Sequence, residues 1–231
     1  MTQRHAFALS FVCFLVLETT LILFIDRPVS DFTRGLEITS PALIDFFRAI
    51  TDFGRSKWYL WPSGIGLLTC YFLLRVCVLT SDQRQHLIRI SHNLLFFFAS
   101  IAVSGIATDI IKPIVGRARP VEMLREHIYG FQPFTFHAAW NGMPSGHATT
   151  AAALALALSL LFPRGRVLWF MIGVILAASR IMVNAHYLSD VLAGISVGSL
   201  VTFGINRLRT DQGMFPVLKG IFPIDKSSPL S

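Results

Sequence analysis

Six runs of about twenty mainly apolar residues constrain this chain more than any other feature. They lie at roughly 6–25, 58–79, 92–111, 144–162, 167–184 and 188–205. A helix rises about 1.5 Å per residue and the hydrocarbon core of a bilayer is about 30 Å thick, so a run of this length reads as a membrane span. Of the 231 residues, 53% are hydrophobic and 14% are charged, a balance foreign to a soluble globular domain. The expected fold is all-α: a six-transmembrane helix bundle with short interfacial helices and its polar residues gathered at one membrane boundary.

No linker, charge block or repeat divides the chain, so one membrane domain is expected over 1–231, with its core at 92–205 and a loosely tethered tail from about Thr210. The first run follows Arg4 and His5 as a signal peptide would. It is longer than a signal's apolar region and lacks a small-x-small cleavage site before Asp26, so it reads as a retained span ending at Ile25. Cys13, Cys70 and Cys77 sit in apolar runs. On a helix the last two would be separated by about 10.5 Å of rise, too far for a disulfide, so all three read as packing residues.

The net charge of +7 comes from scattered Lys and Arg with no basic stripe, which argues against nucleic acid. An even number of spans puts both termini on one side. Arg4, Arg84, Arg89, Arg164, Arg166, Arg207 and Arg209 all fall there, which makes that side cytoplasmic. Trp58, Tyr59 and Trp61 suit an interfacial aromatic belt. His5, His86 and His92 read as solvated surface residues on the cytoplasmic side.

The loops after the third and fifth spans must then face the opposite compartment together, and three polar elements occupy them. The first is "KPIVGRARP", with Lys112, Arg119 and an extra cation, Arg117, for which no more than an auxiliary electrostatic role is expected. Cations at a bilayer edge either snorkel to headgroups or bind an anion. Asp109, three residues before Lys112, either pairs with it or faces the bundle interior.

The second element is "PSGH", Pro144 to His147. Starting the helix at Pro144 restores a span that would otherwise be short and makes Ser145, Gly146 and His147 its opening turn. Free N–H groups there suit an anion, and Gly146 allows close approach. A capping Ser145 with a bystander histidine fits the same residues.

The third element, "SRIMVNAHYLSD", holds Ser179, Arg180, His186 and Asp190. A helical first turn would bring His186 and Asp190 into contact, fixing the imidazole tautomer and freeing the other nitrogen, whether for chemistry or as a structural pair. Gly194 and Gly198 continue that face and allow a helix to pack closely behind it. Three or four cations, a helix N-terminus and two histidines suit a phosphate dianion. Glu18, in the first span, has no identifiable partner.

The ordered set resembles the type 2 phosphatidic acid phosphatase superfamily, the lipid phosphate phosphatases. That family's pattern is KxxxxxxRP, PSGH and SRxxxxxHxxxD, and all eleven specified positions occur here in order. The resemblance implies that His186 attacks phosphorus and forms a phosphohistidine, that Asp190 orients it and that His147 protonates the leaving oxygen. It assigns phosphate binding to Lys112, Arg119, Ser145, Gly146 and Arg180. It implies neither metal nor cofactor, and the loops hold no carboxylate or His/Cys cluster suited to one.

The expected enzyme is therefore a phosphoric ester or diphosphate hydrolase acting on a membrane lipid. Family candidates are undecaprenyl diphosphate, phosphatidylglycerophosphate, phosphatidic acid and lipid A 1-phosphate. The expected setting is a bacterial inner membrane, with the active site facing the periplasm or exterior. Two further features bear on the lipid. One is an apolar stripe at 43, 46, 47 and 50, which predicts a short interfacial helix over 41–50; the other is an aromatic loop from His127 to Trp140. Lipid-to-lipid phosphotransfer through the same phosphohistidine is the enzyme alternative. A transporter would place polar breaks at the midplane of its spans, where this chain carries mostly Ala, Leu, Val and Gly.

Overall fold

The computed structural model describes residues 3–211; the tail expected beyond Thr210 lies, past Asp211, outside the described residues. In chain order the helices are α1 (Gln3–Thr20), α2 (Asp26–Thr39), α3 (Pro41–Thr51), α4 (Lys57–Val76), α5 (Ser81–Val115), α6 (Pro120–Glu126), α7 (Gly146–Leu161), α8 (Arg166–Met182) and α9 (Leu188–Asp211). Among the described residues there is no strand, only isolated bridges from Arg117 to Phe131 and Asn141.

Every apolar run of the sequence is helical. Among the described residues, four helical stretches are long and apolar enough to cross a membrane: Ala8–Thr39, Ser81–Val115, Pro163–Met182 and Leu188–Arg209. The helix α7 is apolar but only 16 residues long, and α4 carries Lys57 and Arg75 at its two ends. Large side chains such as Phe11, Val16, Phe24, Leu68, Phe72 and Leu200 are exposed on these helices, as lipid-facing surfaces require.

The first run does not end at Ile25 as expected. A π-helical turn, Leu21–Ile25, carries the helix on into α2. The polar residues that mark an end in the sequence, Asp26, Ser30 and Thr33, are buried; Ser30 bonds Asn184 in the segment joining α8 to α9, and Asp26 bonds Ser189 in the first turn of α9. The helix predicted over 41–50 is α3; Ile44 is buried, while Leu43 and Phe46 stay exposed.

Small residues let the central helices meet. The buried Ala148, Ala151, Ala153, Ala155 and Ala157 line α7, which packs against α5, α8 and α9. A Cβ at Gly194 would sit 2.5 Å from the Ser145 carbonyl oxygen, and one at Gly198 2.4 Å from that of Thr149, so the expected close packing on this face of α9 is present. Cys70 is buried, but Cys13 and Cys77 are exposed and do not pack in the protein interior. His5 and His86 are exposed as expected, whereas His92 is half-buried.

The helix α5 starts with a capping box between Thr80 and Gln83 and stops at Gly116, whose φ of 60° turns the chain. A Cβ there would lie 1.8 Å from the Gln132 carbonyl oxygen, so no other residue fits. The next residues run extended, with Ala118 N–H bonding Gly130 O (3.0 Å) and Gly142 N–H bonding Arg117 O (2.9 Å). This backbone pairing ties the first polar element to the loop that precedes the second.

Candidate active site

The three polar elements converge. Lys112 Nζ lies 3.3 Å from the Cβ position of Gly146. His147 is within electrostatic reach of Arg180, His186, Arg55 and Lys112, and His186 within that of Arg180 and Arg119. The Ser145 N–H bonds the Asp190 carbonyl oxygen at 2.9 Å, joining the start of α7 to the start of α9.

Pro144 is not in the first helical turn. Ser145 is the N-cap, fully buried, and α7 opens at Gly146. The Ser145 hydroxyl oxygen accepts the Ala148 N–H at 3.5 Å and so caps the helix, which leaves its O–H hydrogen to donate elsewhere. The N–H groups of Gly146 and His147 open the helix and have no intrahelical acceptor, leaving its positive end available to an anion.

His186 does not stand in a helical turn either; it precedes α9, with 4% of its surface exposed. Its Nδ1 lies 2.8 Å from the Gly142 carbonyl oxygen and 3.6 Å from Asp190 Oδ2, so the backbone holds the imidazole and Asp190 does not bond it directly. A carbonyl only accepts, so Nδ1 carries the hydrogen and, in the neutral ring, Nε2 keeps its lone pair. Burial pushes the His186 pKa down, Arg180 and Arg119 act in the same direction, and Asp190 opposes them.

The neighbouring cations fall into two kinds. Lys112 keeps a long contact with Asp109, 3.5 Å, and Asp109 is itself exposed rather than turned into the bundle. Arg119 donates one 3.4 Å bond to Asn141 O, and Arg180 donates to Thr51 Oγ1 at 2.8 Å; the Nε of each is buried without a partner. Neither arginine forms a salt bridge among the described residues. These three cations are free to neutralise a ligand's oxygens.

Arg117 is different: its charge is directed at buried carboxylates of the protein itself. It is 1% exposed and bonds Asp190 Oδ1 (2.9 Å), Asp26 Oδ2 (2.5 Å) and the Ser189 hydroxyl. Asp190 Oδ2 accepts the Tyr187 N–H at 2.9 Å. Asp190 is therefore held by Arg117 and the Tyr187 amide and faces His186 without bonding it. Glu18 is buried, and among the described residues its carboxyl oxygens have no hydrogen-bond partner.

A cavity of about 320 Å³ opens beside His147, lined among others by Gly54, Arg55, Lys57, Asp109 and Gly146. Ser56 and Lys57 also border a larger apolar groove of about 590 Å³ along Leu60, Trp61, Leu68 and Phe98. In the loop from His127 to Trp140, Phe134 and Phe136 are exposed while Tyr129 stacks edge-on against Tyr187.

Sequence reasoning missed Asp26, Ser189, Thr51 and the Gly142 carbonyl. Asp26 left one signal: the polar positions 26, 30 and 33 continue a helical spacing beyond the apolar run. A backbone carbonyl leaves none.

Comparison with known proteins places the chain in a family. Residues 93–214 match the PAP2 superfamily. A lipid A 1-phosphatase of Rhizobium etli is 32% identical over 222 residues, covering 90% of this chain and 91% of that protein. A second lipid A 1-phosphatase, from Rhizobium johnstonii, is 35% identical over 153 residues, 65% of this chain and 61% of that one. Among solved structures, a transmembrane PAP2-type phosphatidylglycerolphosphate phosphatase from Bacillus subtilis shares the fold, with a TM-score of 0.60 at 21% identity over 89% of this chain and 96% of that one. This integral membrane protein belongs to the PAP2 superfamily and is one of its phosphatases.

Proposed function

We propose that the chain removes the 1-phosphate of lipid A or of a closely similar lipid phosphate, without a metal, through a phosphohistidine on His186. The observation that carries this reading is the His186 ring: Gly142 holds its Nδ1–H, so Nε2 is the nucleophilic nitrogen, near Arg119 and Arg180, which have no carboxylate partner among the described residues. Support for the lipid comes from the two rhizobial relatives, each named as a lipid A 1-phosphatase.

In the first step Nε2 attacks phosphorus, a P–N bond forms and the P–O bond to the lipid breaks as His147 gives its proton to the departing oxygen. In the second, water attacks the phosphorus, His147 takes a proton and the P–N bond breaks to release phosphate. Lys112, Arg119, Arg180 and the opening amides of α7 neutralise the equatorial oxygens throughout. Ser145 supports them by capping α7, and Asp190 by its charge beside His186. On this reading six helices, α1, α4, α5, α7, α8 and α9, span a bacterial inner membrane with both termini cytoplasmic, and the site faces the periplasm at the bilayer edge.

The test is phosphate release by detergent-purified protein in EDTA from lipid A, phosphatidic acid, phosphatidylglycerophosphate and undecaprenyl diphosphate. Release from lipid A by the wild type, absent in His186→Ala, is the expected result. No release from any of the four by folded protein overturns the reading, and phosphate delivered only to an added acceptor lipid replaces it with phosphotransfer.

A further inference from the structure

We propose that Asp26 and Arg117 are positioning residues for His186, which makes the N-terminal helix part of the reaction machinery although it lies outside the family-matched residues 93–214. The proposal rests on the phosphohistidine reading above.

Three observations converge on it. First, α2 grips the His186 segment on both sides. The Ser30 hydroxyl bonds Asn184 Oδ1 at 2.7 Å, and Asp26 accepts the Ser189 N–H at 3.0 Å and the Ser189 hydroxyl at 2.7 Å. Second, Arg117 reaches His186 by two routes. Its guanidinium holds Asp190, which faces Nδ1; its carbonyl accepts the N–H of Gly142, whose own carbonyl accepts Nδ1–H. Third, Asp26, Ser189 and Asp190 are fully buried and Arg117 nearly so, so these charge-assisted bonds escape screening by water.

One guanidinium between two carboxylates fixes both. With Asp26 gone, Arg117 would keep a single carboxylate partner, and the arm that met Asp26 would be left with one long 3.3 Å bond to the neutral Tyr129 hydroxyl. Asp190 and Gly142 would then lose their common support. Asp26 itself makes no contact with the cations assigned to phosphate, so its loss should slow the chemical step and leave lipid binding intact.

The experiment compares Asp26→Asn with wild type on lipid A in detergent, with Asp31→Asn, an exposed neighbour on α2, as control. The expected result is a kcat about 10- to 100-fold lower with KM unchanged, as for other residues that hold a catalytic group from behind. Asp26→Glu should recover part of the loss. Because Asp26 acts through Arg117, Asp26→Asn/Arg117→Gln should be no slower than Arg117→Gln alone.

Wild-type kcat in Asp26→Asn, a rise in KM instead, or losses that multiply in the double variant would each overturn the proposal. Should Asp26→Asn fail to fold, Ser189→Ala removes one of the same bonds and must also lower kcat; an unchanged kcat sinks the idea. A wild type inactive on all four lipids rejects the underlying function and this proposal with it. An active wild type, inactive His186→Ala and fully active Asp26→Asn reject the positioning role alone.

Discussion

Arg117 and Arg119 stand two residues apart in one extended segment and do opposite things. Arg117 spends its guanidinium on two buried carboxylates and a hydroxyl, whereas Arg119 has one long bond to a carbonyl and a buried Nε with no acceptor. A buried cation whose charge is cancelled inside the protein belongs to the scaffold. One left uncompensated beside the two histidines is held ready for an anion that comes from outside. Arg180 belongs with Arg119: its partner, Thr51, is neutral, and its Nε is also unbonded.

Five measurements sharpen this contrast. The largest effect is expected for His186→Ala, the group that both arginines serve: phosphate release should fall by about 10⁴-fold or more, and the phosphoenzyme trapped from the wild type should vanish. Retained release would end the phosphohistidine proposal. Next, Arg119→Ala and Arg180→Ala should each cost about 10²- to 10³-fold in kcat/KM, the scale of a lost charge-stabilising donor, with little change in thermal stability.

Arg117→Ala should behave in the reverse way. Opening a buried ion pair costs about 3–5 kcal/mol, so a marked drop in melting temperature must accompany any loss of activity. Equal melting temperatures for Arg117→Ala and Arg119→Ala would erase the distinction. A smaller effect concerns pH. Burial and two arginines lower the His186 pKa, so the neutral, attacking ring persists below the ordinary histidine value of about 6.5. The acid limb of kcat/KM should therefore lie below pH 6.5. A limb at or above 7 would contradict the buried placement, and loss of activity in EDTA that magnesium restores would contradict the metal-free chemistry.

The same contrast separates what the sequence reveals from what it hides. Lys112, Arg119, His147, Arg180 and His186 are legible because each lies in a fixed local spacing at the end of an apolar run. The close packing of α9 on α7 is legible at Gly194 and Gly198 for the same reason. The role of Arg117 is not legible, because Asp26 is 91 residues away and Asp190 is 73. Asp26 also looks like the end of a span, when it is a buried charge inside a continuing helix. The i,i+4 spacing does bring Asp190 beside His186, at 3.6 Å, but the nearer partner of the ring, the Gly142 carbonyl, is a backbone atom that has no sequence signature.

The contact between α7 and α9 sets where a protein of this kind is free to vary. At Gly194 and Gly198 the helices touch backbone against side-chain-free backbone, and any added methyl would push Ser145 away from Asp190. That pair of helices is a frozen frame. The loop bearing Phe134 and Phe136, by contrast, presents two rings to the outside with 78% and 85% of their surface free. Evolutionary change toward lipids of another shape has room in that loop and almost none in the frame, so diversity among relatives should accumulate at the loop while the spacing of the two helices stays constant.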